Sequence, residues 1–193
     1  MRIRVLTTIS AAIAVIALPG CGAGSTTGQT SHAPSASPIP PVKNPRDVAA
    51  MARRPCELLT AQQARGFGLN LPPEQSDGLF GTLDCKWTTT TRDRRIIRTV
   101  DLSMFTNNPT LEVAYTKDRG LPYFELTEIT GYPAIVTRTN AELPSCDIDI
   151  KPAERQSVSI IYDSEQFRNN PQQACEVGKQ VAAAIIMNLP PKG

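Results

Sequence analysis

Histidine is almost missing from this chain: among 193 residues there is one, His32. It stands in a stretch of Gly, Ser, Thr and Pro, not in a segment with core-forming residues. A Ser-His-Asp or Cys-His arrangement needs an imidazole of near-neutral pKa at a fixed place, so that chemistry has no base here. The cysteines form no CxxC or similarly close ligand spacing, and no histidine completes a zinc set, so no metal site is expected. A Gly-rich phosphate loop of either standard form is also missing. The single tryptophan is Trp87, and the four tyrosines (115, 123, 132 and 162) are scattered instead of forming a sugar-binding strip. No internal repeat is discernible.

What is present begins at the start of the sequence. Arg2 and Arg4 make a short positive segment, followed by an uncharged, mostly apolar run over 5–18 (VLTTISAAIAVIAL). That run fits a secretory leader and falls short of the roughly 20 residues a spanning helix needs. It stops at Leu18-Pro19-Gly20-Cys21, which resembles the lipobox of bacterial lipoproteins, with Pro19 in place of the usual small residue. The resemblance implies removal of residues 1–20 and attachment of diacylglycerol and a palmitate-type acyl chain to Cys21. Two or more acyl chains hold a protein durably on a membrane, where one does not.

From 22 to 45 only Ile39 and Val42 interrupt a Gly/Ser/Thr/Pro composition. Such a segment cannot bury enough surface to offset its ordering entropy and is expected to be a disordered tether reaching roughly 25–30 Å. Loss of Arg2 and Arg4 with the leader takes the 20 basic side chains to 18, equal to the 18 acidic ones. No long-range field then steers the chain to nucleic acid. One basic cluster remains, Arg92, Arg94 and Arg95 around Asp93, with Arg98 just beyond. It reads as a solvated hairpin tip, with a phosphate or lipid-headgroup site as the alternative.

Besides Cys21 there are four cysteines, Cys56, Cys85, Cys146 and Cys175. An even number in an exported chain implies two disulfides, for which three pairings exist. The chain falls into two cysteine-bounded halves, favouring Cys56–Cys85 with Cys146–Cys175, each closing a loop of about 30 residues and contributing about 3–4 kcal/mol.

A domain from 46 to 193 is long enough for one core. Thr60-x-x-Gln63 reads as a capping box, with Gly66 or Gly68 as the stop. Strands are expected at 85–91 and 96–104, then at 123–128, 133–138, 146–151 and 157–162, the last two joined across 152–155. Asn108-Pro109 reads as the cap and first position of a helix that places Leu111, Ala114 and Tyr115 on one face up to Gly120. A final helix over 171–188 carries Ala174, Val177, Val181, Ala184 and Ile185 on a stripe. The expected fold is α+β, an antiparallel sheet of about five strands with two or three helices on one face, in the order α-β-β-α-β-β-β-β-α.

Several of these pieces resemble a known family. They are Pro55-Cys56-Glu57-Leu58-Leu59-Thr60, Cys85-Lys86-Trp87, Gly131-Tyr132-Pro133-Ala134, Cys146-x-Ile148-x-Ile150, and Cys175 opening an Ala-rich helix that ends in Leu189-Pro190. In order and spacing they resemble the actinobacterial LprB/LprC-like lipoproteins, a four-cysteine extracytoplasmic domain of unknown function, with Lys86 in place of an arginine. The resemblance implies a surface lipoprotein with an α+β domain and brings no catalytic residues and no cofactor.

The expected function is therefore a non-catalytic binding or accessory module of the cell envelope. It would be held to the extracytoplasmic face of the membrane through Cys21, with an envelope protein or a lipid or wall component as partner. A purely structural envelope protein is one alternative. A carboxylate-dependent hydrolase is the other, because Asp147 and Asp149 alternate with Ile148 and Ile150 and share one strand face, roughly 6–7 Å apart. The same alternation is what any half-buried strand shows. Trp87, two positions past a cysteine, reads as core before it reads as a ligand platform.

Overall fold

The computed structural model describes residues 38–193; the expected leader, the expected lipidation site Cys21, His32 and most of the expected tether lie outside them. The strands are β1 (Glu74–Asp77), β2 (Leu83–Thr90), β3 (Ile96–Phe105), β4 (Tyr123–Ile129), β5 (Tyr132–Arg138), β6 (Ser145–Ala153) and β7 (Gln156–Ser164). The helices are α1 (Ala61–Gly66), α2 (Thr110–Asp118) and α3 (Pro171–Asn188). Local chemistry accounts for most boundaries. The Thr60 hydroxyl accepts from the Gln63 N–H while the Gln63 side chain accepts from the Thr60 N–H, so both ends of the capping box are closed at α1. The β4–β5 hairpin turns on Thr130 and Gly131, both at positive φ (51° and 83°), the conformation a two-residue turn of this hand requires. Pro171 opens α3 at a position where a missing N–H costs nothing. Helix α2 starts one residue later than expected, with Pro109 as its N-cap and Thr110 as its first residue.

All neighbouring strands are antiparallel and form one sheet in the order β1-β2-β3-β7-β6-β5-β4. Two meanders, β1-β2-β3 and β4-β5-β6-β7, are sewn together by the β3–β7 pairing, in which Val100 faces Tyr162 and Leu102 faces Ile160. The β2–β3 turn marks the upper end of the sheet. The β1–β2, β4–β5 and β6–β7 turns mark its lower end. The sheet has seven strands, not about five. The segment that escaped the sequence reading is β1, Glu-Gln-Ser-Asp, exposed along its whole length. A short edge strand with neither face buried carries no alternation to detect.

Alternation along the other strands sorts side chains onto two faces. The inner face carries Trp87, Val100, Leu102, Ile148, Ile150, Ile160 and Tyr162, each fully buried. Helix α3 lies on it, anchored by Cys175 to Cys146 of β6. Gly178 allows the close approach, since a Cβ there would come within 2.9 Å of Ile148 Cδ1 and 3.2 Å of Tyr162 Cβ. The helix's buried stripe holds Ala174, Cys175, Gly178, Val181, Ala182, Ile185 and Ile186, so it is centred one residue past the expected one. Cys56–Cys85 ties the segment before α1 to β2. Both disulfides are the favoured pairing, with Cα–Cα separations of 5.2 and 5.1 Å.

Helices cover both faces, not one. Strand β3 ends at the lower end of the sheet, whereas β4 starts at the upper end of the far edge. The chain must therefore recross the sheet, and α2 does so on the face opposite α3. There Leu111 and Ala114 form a second small core with Ile135 and with Ile39. Ile39 is thus 5 % exposed and Val42 half-buried, so the expected tether is seated on the domain from Ile39 onward. Among the described residues no helix is long and apolar enough to cross a membrane.

Candidate functional site

Helix α2 leaves part of the outer face open, and the side chains there are polar. Register places Lys86, Asp101, Ile161 and Asp147 in one row across β2, β3, β7 and β6. The adjoining row holds Ser103, Ser159 and Asp149. Asp147 and Asp149 thus share a strand face, flanked by α2 and by β7. Lys86 sits 3.1 Å from Asp101, and no other cation of the described residues forms an ion pair with these aspartates. Lower on the same face, Lys151 is 7 % exposed and bridges Glu112 of α2 (2.8 Å) and Glu154 (3.0 Å), closing the space beneath the helix.

The electrostatic result is that three carboxylates of this face, Asp149, Asp147 and Asp163, hold their protons more tightly than usual. Burial pushes Asp149 up to about 6, helped by the charges of Asp147 and Asp118 and opposed by a hydrogen bond with Ser159. Burial also raises Asp147, with Asp118 adding to it, and raises Asp163, where Glu165 adds. Asp118 comes from α2, so the recrossing helix supplies charge that strand periodicity could not reveal. Chemically the strip can exchange a proton near neutral pH and accept hydrogen bonds. No group of three or more acidic, cysteine or histidine side chains among the described residues is placed to hold a metal ion.

The position of Asp149 carries a stability signature. Its folded pKa lies above its ordinary 3.8, so between pH 3.8 and about 6 the native state keeps a proton the unfolded chain has released. Stability therefore falls as pH rises through that window and stays reduced above it. Asp149→Asn removes the ionisation while keeping an acceptor for Ser159. Urea unfolding should show the variant more stable than wild type by about 1–3 kcal/mol at pH 8 and equal to it below pH 3.8. A gain of the same size at both pH values would mean the carboxylate is not desolvated.

The other candidates fall elsewhere. Arg92, Arg94 and Arg95 are exposed on the β2–β3 turn at the upper end. The turn is closed by Thr91 and Arg95 backbone pairing and by the Thr91 side chain, which donates to Asp93. Arg98 is not part of this cluster: it lies on the inner face, donating to Phe67 O (2.6 Å) and Gln166 (2.6 Å). Trp87 is fully buried and floors an apolar hollow of about 430 Å³ walled by Leu59, Ala64, Leu69, Leu71, Pro72 and Pro73. Cys21 lies outside the described residues.

One feature escaped sequence reasoning altogether. At the β1–β2 tip, Leu79 and Phe80 are 79 % and 90 % exposed. Their one sequence signal is an apolar pair set between Gly78 and Gly81. Phe80 adopts φ 63°, the left-handed region that costs a bulky residue about 1–2 kcal/mol. Beside it a hollow of about 510 Å³ is lined by Arg53, Thr82, Met104, Phe105 and Asn107, among others.

No curated protein and no solved structure matches the chain. A family model matches residues 16–188, a span that takes in Cys21 and all four domain cysteines. On that match the chain belongs to the family described as protein of unknown function (DUF3558).

Proposed function

We propose that this chain is a membrane-anchored extracytoplasmic lipoprotein of the LprB/LprC-like kind, acting as a non-catalytic binding or accessory module of the cell envelope. The observation that carries the reading is the cysteine usage. All four domain cysteines pair with one another, as suits an oxidising compartment. That leaves Cys21, at the end of the apolar leader, as the one cysteine available for lipid. The open strip on the outer face supports binding over catalysis. Its best-placed acids, Asp147 and Asp149, stand two positions apart on one strand, with Ser159 of β7 and Asp118 of α2 as the groups that act on them. An envelope protein or a lipid or wall component is the partner this reading implies.

Fractionation of cells with intact-mass measurement tests the anchor. The wild-type chain should appear in the membrane fraction, beginning at Cys21 and carrying acyl chains, whereas Cys21→Ser should leave that fraction. A wild-type chain recovered in soluble form, or with residues 1–20 still attached, would refute the lipoprotein reading.

A further inference from the structure

The Leu79–Phe80 tip is held outward by its own hydrogen bonds. Gly78 N–H donates to Thr82 O at 2.9 Å, and the Thr82 hydroxyl lies 2.9 Å from both Leu79 O and Asp84 Oδ1. Two large apolar side chains are thus presented to solvent on a braced turn, one of them in a strained backbone conformation. Adjacent exposed apolar groups held in this way mark a contact surface. The charged residues nearest the tip along the chain are acids. Asp77 is exposed and Asp84 half-buried, and neither is in an ion pair among the described residues. Arg53 lines the hollow beside Phe80, so the tip keeps an acidic excess. The occupant that suits it is an apolar recess with a cation at its rim.

This chain carries such a recess itself. The hollow over Trp87 is walled by Leu59, Leu69, Leu71, Pro72 and Pro73, and Arg65 is the one charged residue lining it. Arg65 is exposed and in no ion pair among the described residues. Tip and hollow lie at the two ends of β1: residues 71–73 lead into the strand and residues 78–80 lead out of it. Leu71 stands four positions before Gln75, and Leu79 four positions after it. Both features open on the inner-face side, since Trp87 floors one and Met104 lines the other, and both belong to the principal core. Strand β1 ends the sheet and pairs only with β2 among the described residues. A two-fold axis through this edge at Gln75, perpendicular to the sheet, therefore sets the tip of each copy at the hollow of the other. Gln75 lies opposite Cys85, whose side chain is in the core, so Asp77, two positions on, shares the inner side and meets Arg65 of the second copy. On the outer side Glu74 falls opposite Ser76, and Gln75 falls opposite itself, so no like charges face each other along the edge. Pro72 and Pro73 have no N–H with which to lengthen a ladder, which leaves the contact to the side chains. A self-complementary patch of this kind closes a dimer.

We infer that the chain self-associates as a two-fold dimer across the β1 edge, with the Leu79–Phe80 tip of each copy seated in the hollow over Trp87 of the other and Asp77 facing Arg65. The inference does not depend on the anchor. Its test uses the full chain in the cells that make it, with photoreactive benzoylphenylalanine in place of Phe80. A control carries the same group in place of Ile96, which is 56 % exposed beside the β2–β3 turn. Irradiation should link position 80 to a second copy, giving a species of twice the chain mass whose joined peptide falls within residues 59–73. Position 96 should give no such species. Arg65→Glu should lower the yield from position 80 about fivefold, and adding Asp77→Lys to the same chain should restore it. Both substituted residues are exposed, and far-ultraviolet circular dichroism of the purified variants checks that they fold. If position 80 links to a different protein, forms no species of twice the mass, or joins a second copy outside residues 59–73, the inference is overturned. Equal yields from positions 80 and 96 overturn it as well, and so does a yield that Asp77→Lys fails to restore.

Discussion

Replacing Cys146 and Cys175 together by alanine should destabilise the domain by about 3–5 kcal/mol, and replacing Cys56 and Cys85 by somewhat less. The chain-entropy contribution is the same for both, because each bridge spans 29 residues. The difference comes from packing. Cys146 and Cys175 are both fully buried between β6 and α3, so truncation there leaves a cavity lined by core side chains. Cys56 is half-buried, and the structure around it can relax toward solvent. Thermal or urea unfolding of the two double variants measures both the size and the order. Typical domains are stable by only 5–15 kcal/mol, so loss of both bridges is expected to leave little folded protein at growth temperature. A cost below about 1 kcal/mol for the buried pair would show that α3 holds its place by packing alone.

Trp87→Ala should cost a comparable amount, about 3–5 kcal/mol. Trp87 is among the largest of the fully buried side chains and faces Val100 across the β2–β3 pairing. Its removal would leave a void in the principal core, next to the Cys56–Cys85 bridge. The wild-type protein should emit at short wavelength and resist iodide quenching until it unfolds. The competing role, a platform for a ligand in the adjoining hollow, makes the opposite forecast. A ligand platform would be partly solvated, its emission would be quenched by iodide in the native state, and truncation would spare stability. Chemical unfolding of the variant, together with wild-type quenching, decides between them.

The features legible in sequence are those governed by near neighbours. Thr60 and Gln63 specify a helix start within one turn, and Gly131 marks the β4–β5 turn because glycine tolerates the positive φ it needs there. The alternation Cys146-x-Ile148-x-Ile150 names a strand and its buried face. The α3 boundaries follow from Pro171 at one end and Leu189-Pro190 at the other. The division of the chain into two halves favoured one of three disulfide pairings, and each bridge does close within its own half.

What required the tertiary structure involves residues far apart in the chain. Strand β1 exists only because β2 offers it an edge, and its Glu-Gln-Ser-Asp sequence has no apolar face to betray it. The β3–β7 seam joins residues some sixty positions apart, and no local pattern encodes such a partner. Helix α2 lies on the outer face because β3 and β4 run in the same direction at separated places in the sheet, so the connection must travel back along it. Burial raises the pKa values of Asp147 and Asp149, and that placement adds the charge of Asp118 to it. It also seats Ile39, from the expected tether, against Leu111 and Ile135. The outward set of Leu79 and Phe80 is of the same kind. Hydrophobicity alone assigns such residues to a core, and the neighbours that would have buried them are absent only because the β1–β2 turn projects past the end of the sheet. Sequence determined the cysteine framework and the local elements, because those depend on composition and short-range geometry. Tertiary structure decided which charges share a surface and which apolar groups face solvent, because both depend on what the rest of the chain leaves uncovered.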